Sequence, residues 1–399
     1  MSTSKPKLAV IGASHFQLPL IQKAQQMGCE VHAFAWECGD VGEAAADVFH
    51  PVSIVETDTI VSVCKEVGID GICTIASDLA TVAVCTVADA LGLVGNSLAC
   101  MNVSTNKNLM RKAFASADDP SPRSVLVHAG DAKAFDPATY GLQYPLIVKP
   151  TDRSGSRGIT KLETPYDIDA LHNALQSALE QSFAKEALVE EFATGDEFSV
   201  EGMSWEGEHH ILTITRKGTT GAPHFIETAH LQPCGLNDKT QQVVRKVVTK
   251  ALGTLGVEYG ASHSELKVAS DGTVRLIEIG ARMGGDCIGS HMVQLSTGID
   301  YLAAVVDVAL GRKPNLMPAR DPAVSAARFL FDEDDLKMFD ALQHEHPELV
   351  RYSCMTAEPG TQEVLDSSTR LGHFVMASNE GAALAPYLPD KLACVAKAL

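Results

Sequence analysis

Several features are missing from this 399-residue sequence, and each absence narrows the choice. The ten cysteines stand singly from Cys29 to Cys394; no Cys-x-x-Cys pair and no Cys/His zinc-finger spacing occurs, so a locally encoded metal motif is excluded. Free thiols in a reducing, cytoplasmic setting are the expectation. No apolar run is long enough to span a bilayer. Met1 to Lys7 is polar with no apolar stretch behind it, so no secretory signal is expected. Basic excess is also missing. Fifty acidic residues against 32 basic ones give a net charge of −18, which argues against nonspecific binding to nucleic acid or an anionic membrane. Any polyanionic ligand must meet lysines and arginines placed locally. Two glycine fingerprints are absent as well. Gly12-Ala-Ser-His-Phe-Gln is not Gly-x-Gly-x-x-Gly, which weakens a dinucleotide oxidoreductase, and Gly-x-x-x-x-Gly-Lys-Ser/Thr does not occur.

What is present is an ordered two-part pattern. Apolar content of 45% and charged content of 21% describe a globular chain. Leu8-Ala-Val-Ile-Gly12, Glu30–Ala35, Gly71–Ile75 and Leu93-Val94 read as strands. Helical periodicity at Leu18–Met27, Thr59–Val67 and Thr81–Leu91 lies between them, which predicts a parallel sheet covered by helices over residues 1–98. From about residue 99 to 315 the style changes to α+β. Helices are expected at Asn106–Ala115, Asp167–Gln181, Lys239–Leu255 and Ile299–Leu310, strands at Leu146–Lys149 and Ala187–Phe192, and hairpins around Glu206-Gly207 and Asp271-Gly272. Residues 316–399 mix strands and short helices and give the weakest pattern.

The second hairpin carries the chemistry. A two-residue turn at Asp271-Gly272 sets Ser270 opposite Thr273 and, counting outward, Glu265 opposite Glu278. Like charges facing each other across a sheet are unfavourable. The pair becomes favourable if it shares a divalent cation, and hard oxygen ligands suit Mg2+. A solvated edge hairpin is the plain alternative. Arg282 follows in Glu278-Ile-Gly-Ala-Arg-Met-Gly-Gly285. A guanidinium there is able to grip a phosphoryl group or a carboxylate, with Gly284 and Gly285 allowing close backbone approach; a surface arginine in a loop is the alternative.

Taken in order, these motifs resemble the ATP-grasp superfamily over nearly the whole chain, and within it the L-amino-acid (dipeptide) ligases. The resemblance implies a Rossmann-like pre-ATP-grasp domain, an ATP-grasp domain with a lid at about 125–195, and a C-terminal α+β region. Asn106–Lys112 is similar to the lysine-bearing helix, making Lys107 a phosphate contact. Tyr144-Pro-Leu-Ile-Val-Lys-Pro150 makes Lys149 the α/β-phosphate lysine. Thr151-Asp-Arg-Ser-Gly-Ser-Arg-Gly158 looks like the loop that closes over the triphosphate, through Ser154, Gly155, Ser156 and Gly158, with Arg153 and Arg157 as charge. Leu188–Val200 is similar to the adenine hinge, implying base contacts from Glu190, Glu191, Phe192 and Ala193 and a ribose contact from Glu197. Glu227 and His230 would bind the amino and carboxylate ends of a substrate, with Lys217 a weaker candidate nearby. Glu265 and Glu278 would hold Mg2+, or Mn2+ in its place, and Arg282 would steady the developing anion.

The chain departs from the pattern at Gly280, where many family members carry a metal-binding Asn, so one fewer ligand is expected. Ser77 and Asp78 end a parallel strand facing the crevice, though an N-cap role for Asp78 fits equally well. The resemblance implies an amide- or peptide-forming ligase acting through an acyl phosphate on small carboxylate and amine substrates, assembled as a homodimer. Bicarbonate activation, or ATP binding without catalysis, is the alternative.

Overall fold

The structure, a computed structural model, describes residues 5–155, 157–222, 225–357, 360, 364 and 366–399. The first sheet is parallel. It comprises β1 (Lys7–Ile11), β2 (Glu30–Phe34), β3 (Val48–His50) and β4 (Gly71–Cys73), in the order β3-β2-β1-β4. Leu8 through Ile11 are all buried, the continuous apolar run of a strand covered on both faces. Leu93-Val94, expected as a strand, is not one. Gly92 in the left-handed conformation closes the helix Asp78–Leu91, and the Leu93 amide folds back onto the carbonyl of Ala88. The apolar pair seals a helix end and leaves the sheet. The remaining strand, Val48–His50, has only three residues, too few to be read from periodicity.

The second sheet is antiparallel, with β5 (Ser124–His128), β6 (Leu146–Pro150), β7 (Thr160–Leu162) and β8 (Glu186–Glu191) in the order β5-β8-β6-β7. The helix Ile168–Gln181 lays Leu171, Leu175 and Ala178 against Leu146, Val148 and Val189, the i, i+4, i+7 stripe that a sheet face buries.

The third sheet has eight antiparallel strands. They are β9 (Asp196–Trp205), β10 (Glu208–Thr219), β11 (Glu227–Gln232), β12 (Gly260–Val268), β13 (Val274–Gly280), β14 (Val324–Leu330), β15 (Val350–Met355) and β16 (Gly372–Ser378). Their order is β13-β12-β9-β10-β11-β14-β16-β15. The helix Asp238–Thr254 buries Val244, Val248 and Leu252 against Phe198, Val200 and Leu266. The helix Tyr301–Ala309 is wedged between the first and third sheets, and the Tyr301 hydroxyl donates to the Gly202 carbonyl at 2.7 Å. The connection near residue 315 is an irregular stretch, while the sheet itself runs on through the β11–β14 pairing. Among the described residues no single helix is long and apolar enough to cross a membrane.

The β12–β13 hairpin meets the expectation at its functional end by a different route. Glu265 lies opposite Glu278, but Val268 pairs with Val274, so the turn is longer than two residues. A bulge between Glu265 and Leu266 then restores the opposition. Such a bulge re-aims side chains at a site rim, and here it brings both carboxylates to the same face.

Candidate active site

Strand alternation in the third sheet builds one charged wall. Phe198, Val200, Leu266 and Val268 point into the apolar core, so Glu197, Ser199 and Glu201 of β9 and His263, Glu265 and Lys267 of β12 share the other face. Lys217 of β10 is opposite both Glu197 and His230. Its buried ammonium lies 2.5 Å from Glu265, 3.2 Å from Glu197 and 3.5 Å from Glu227. Burial alone would lower the Lys217 pKa; the three carboxylates, Glu265 first, instead hold it well above the ordinary value. Burial would raise the Glu265 pKa, yet Lys217 and then His263 keep it well below the usual carboxylate range. His263 is bracketed by Glu201 and Glu265. Against the effect of burial, the Glu201 carboxylate raises its pKa to about 9, so it carries a proton at neutral pH.

Opposite this wall, the Asn106 side chain accepts from the Leu109 amide and starts the helix Lys107–Ser116. The amide of Lys107 is tied to Thr151 O at 2.8 Å. From there its ammonium reaches Glu278 at 2.6 Å and the Arg153 carbonyl at 2.7 Å. Lys149 of β6 and Glu190 of β8 are diagonal neighbours on adjacent strands, 2.6 Å apart, and Arg111 closes on the other oxygen of Glu190, also at 2.6 Å. This triad is buried. Burial lowers the Lys149 pKa, and Glu190 offsets only part of that effect. Burial would push the Glu190 pKa up, but Arg111 and Lys149 pull it below the usual range.

Lys107, Lys149, Glu190, Glu197, Lys217, Glu227, His263, Glu265 and Glu278 line a single cleft, together with Pro122, Ile147, Ile159 and Ile277 as an apolar slot and Phe192 and Phe225 at its side. Cations from three elements, an apolar slot and a pair of opposed carboxylates together form a place for a nucleotide tail. Residues 142–290 match the family of the ATP-grasp domain. An ATP-grasp domain thus lies within residues 142–290. The chain is 26% identical over 309 residues to alanine–anticapsin ligase of Bacillus subtilis, covering 69% of this chain and 64% of that protein. It is 29% identical over 227 residues to dapdiamide A synthase of Enterobacter agglomerans, covering 51% and 50%. The chain thus spans between half and two thirds of the length of these curated relatives. The crystal structure of the L-amino acid ligase from Bacillus licheniformis superposes with a TM-score of 0.79 at 24% identity, over 98% of each chain, an agreement of fold.

The ATP-grasp cleft gathers most of the residues expected from sequence. Lys107, Lys149, Ser154, Gly155, Glu190, Glu191, Phe192, Ala193, Glu197, Glu227, His230, Glu265, Glu278, Arg282 and Gly285 all line it. Ser156 lies outside the described residues, and Gly158 sits at φ 66° where the loop turns. Some roles look different in three dimensions. Both oxygens of Glu190 face Arg111 and Lys149, so the end of β8 presents chiefly backbone to the slot. The Gly284 amide donates to Glu201 at 3.0 Å. Arg153 lays its guanidinium over the Phe183 ring. Arg282 is held in a two-point grip by Asp78, at 2.8 and 2.9 Å. Asp78 is not the helix cap: Ser77 accepts from the Ala80 amide and does that work.

The Asp78–Arg282 grip also accounts for Gly280. A Cβ there would meet Asp78 Oδ1 at 2.7 Å and the Arg282 guanidinium carbon at 3.3 Å, so the ion pair fills the space that an Asn would need.

The sequence reading missed Arg111, Glu201, His263 and, from the C-terminal region, Ser367, Ser368 and Arg370, all of which except Arg111 and Glu201 line the cleft. Arg370 grips Asp286 at 2.6 and 3.1 Å and stacks over Phe329, 3.8 Å from the ring centre. Despite burial, Arg370 holds the Asp286 pKa down at about 2. His230 is fully buried, and its ring nitrogens have no hydrogen-bond partner among the described residues. Burial drives its pKa to about 3, so it is neutral. A local signal existed only for Arg111, on the same helix as Lys107.

The triad yields a test. Glu190→Leu strips two buried cations of their shared counterion and should cost about 3–5 kcal/mol in urea unfolding. Adding Arg111→Met should recover part of that loss, because it removes one of the stranded charges. A Glu190→Leu protein as stable as the native one would show that the triad contributes nothing.

Proposed function

We propose that the chain is an ATP-dependent carboxylate–amine ligase. It would form an amide or peptide bond through an acyl phosphate, release ADP and phosphate, and take an amino acid as one substrate. Residues 1–98, 99–315 and 316–399 would be its pre-ATP-grasp, ATP-grasp and C-terminal parts. The observation that carries this reading is the facing pair Glu265–Glu278, each already neutralised by a buried lysine, beside the Lys149 site. The names of the curated relatives, a ligase of alanine and anticapsin and a dapdiamide synthase, support amide formation over bicarbonate activation.

The donor set fits magnesium. Two carboxylates opposite each other across strands offer hard oxygens, as Mg2+ or Mn2+ requires. Glu265 and Glu278 would hold the ion, which when bound neutralises phosphate charge. The remaining work falls to the chain. Lys107 and Lys149 bind phosphate oxygens, and the Ser154–Gly158 loop covers them. The slot formed by Ile147, Ile159 and Ile277 accepts the base, with Glu197 at the ribose. Positioning and fixed charge, rather than covalent participation, carry phosphoryl transfer to the substrate carboxylate. Glu227 and His230 hold the amino-acid ends. Arg282, kept rigid by Asp78, faces the anion that develops as the amine attacks.

Phosphate release measured with amino acids singly and in pairs, with product masses determined, tests the proposal. The expected result is release that needs two substrates and gives a product lighter than their sum by one water. Tight ATP binding with no phosphate release across the panel would overturn it.

A further inference from the structure

A second cluster of ligating side chains lies beside the cleft and belongs to none of the chemistry above. His15, Cys354 and His373 each bring one ligand atom to within 4.8 Å of the others. Local spacing could never reveal it, because His15 is in the loop after β1 while Cys354 and His373 are in the C-terminal strands. Sheet register does the assembling: Cys354 of β15 and His373 of β16 are direct cross-strand partners, so their side chains share a face. Phe374 and Met376 point into the apolar core on one side of β16, which sends His373 to the other side, toward the loop of the first sheet.

We infer that His15, Cys354 and His373 form a binding site for a transition-metal ion of the zinc type, clipping the loop after β1 to the β15–β16 ribbon. Two imidazoles and a thiol are borderline-to-soft donors, the set that selects Zn2+ over Mg2+. Tetrahedral zinc with these ligands needs donor separations of about 3.4–3.6 Å, so donors that already lie within 4.8 Å of one another need only a small side-chain adjustment to close on an ion. His373 Nε2 is buried with no hydrogen-bond partner among the described residues, a cost that a metal bond removes. The ring environment supplies neutral ligands: burial lowers the pKa of His15 and takes that of His373 to about 4. Burial raises the Cys354 pKa, and a coordinated thiol gives up its proton regardless. Phe16, next to His15, stacks on His373 and lines the ATP-grasp cleft, so occupancy would stiffen the cleft wall nearest Arg370 and Asp286.

The experiment uses the full chain, stripped with chelator and titrated with Co2+ in excess Mg2+, in a Cys38→Ser/Cys394→Ser background that removes the two exposed thiols. One Co2+ per chain should bind with a thiolate-to-cobalt charge-transfer band, and Zn2+ should displace it and raise the Tm. Cys354→Ser should abolish the band, and His15→Gln should weaken binding at least about tenfold. Both positions are only partly buried, so these variants test the site even if a His373 variant fails to fold. A titration with no charge-transfer band, or a band that survives Cys354→Ser, would overturn the inference. Neither readout depends on ligase activity.

Discussion

Glu278→Gln will reduce ATP-dependent phosphate release by on the order of a thousandfold or more while the protein stays folded. The substitution keeps the shape and removes the charge. It takes away one of two opposed carboxylates and leaves the Lys107 ammonium facing two neutral oxygens, the new amide and the Arg153 carbonyl, in place of its anionic partner. Because the proposed transfer relies on fixed charge rather than on a covalent intermediate with the protein, losing one anchor of the phosphate-neutralising ion removes transition-state stabilisation of the size measured when preorganised charge is deleted. Single-turnover phosphate release and thermal unfolding, run in parallel, separate chemistry from folding. Turnover within tenfold of the native protein, with Mg2+ still required, would remove Glu278 from the metal assignment.

Lys217→Met is the second large effect. The ammonium is the shared counterion of Glu197, Glu227 and Glu265, and removing it takes a buried cation from three partly buried carboxylates, leaving Glu197 to Lys267 at 3.6 Å and Glu265 to His263 at 3.4 Å, at a cost of about 3–5 kcal/mol. In the native protein, the raised pKa of Lys217 means that its stabilisation is complete below the ordinary lysine pKa and is lost only as pH rises through the folded value. The depressed pKa of Glu265 means that its share is present above the ordinary carboxylate pKa and is lost as pH falls through the folded value. Near neutrality the two give a flat profile. In Lys217→Met the crowded carboxylates instead favour protonation, so stability should rise as pH is lowered from 7 toward 5, and Mg2+ alone should raise the Tm more than it does for the native chain. A variant whose stability falls on acidification in that range would contradict the arrangement.

The course of the backbone was legible wherever apolar periodicity was long. The helix Asp238–Thr254 and the β9–β10 hairpin are where the pattern put them. The opposition of Glu265 and Glu278 was also legible, though the turn geometry behind it was not, since a longer turn and a bulge cancel. Lys217 looked minor because a strand lysine has no visible partner in sequence; its counterion Glu265 is 48 residues away and faces it only through sheet alternation. Arg370 and Asp286, 84 residues apart, were illegible for the same reason, as was the use to which the chain puts Gly280. Charge partners set by register between distant strands leave no local pattern.

The eight-stranded sheet has a consequence for anyone who would cut or graft this molecule. Because β11 hydrogen-bonds to β14, a chain ended before β14 would present a long bare strand edge, the kind of surface that recruits other chains and precipitates. The same seamlessness means that Ser367 and Arg370 travel with the last three strands. A chimera that exchanges β14–β16 as one block would keep the ladder intact and import a new wall for the substrate end of the cleft, while the phosphate-binding strands stay as they are.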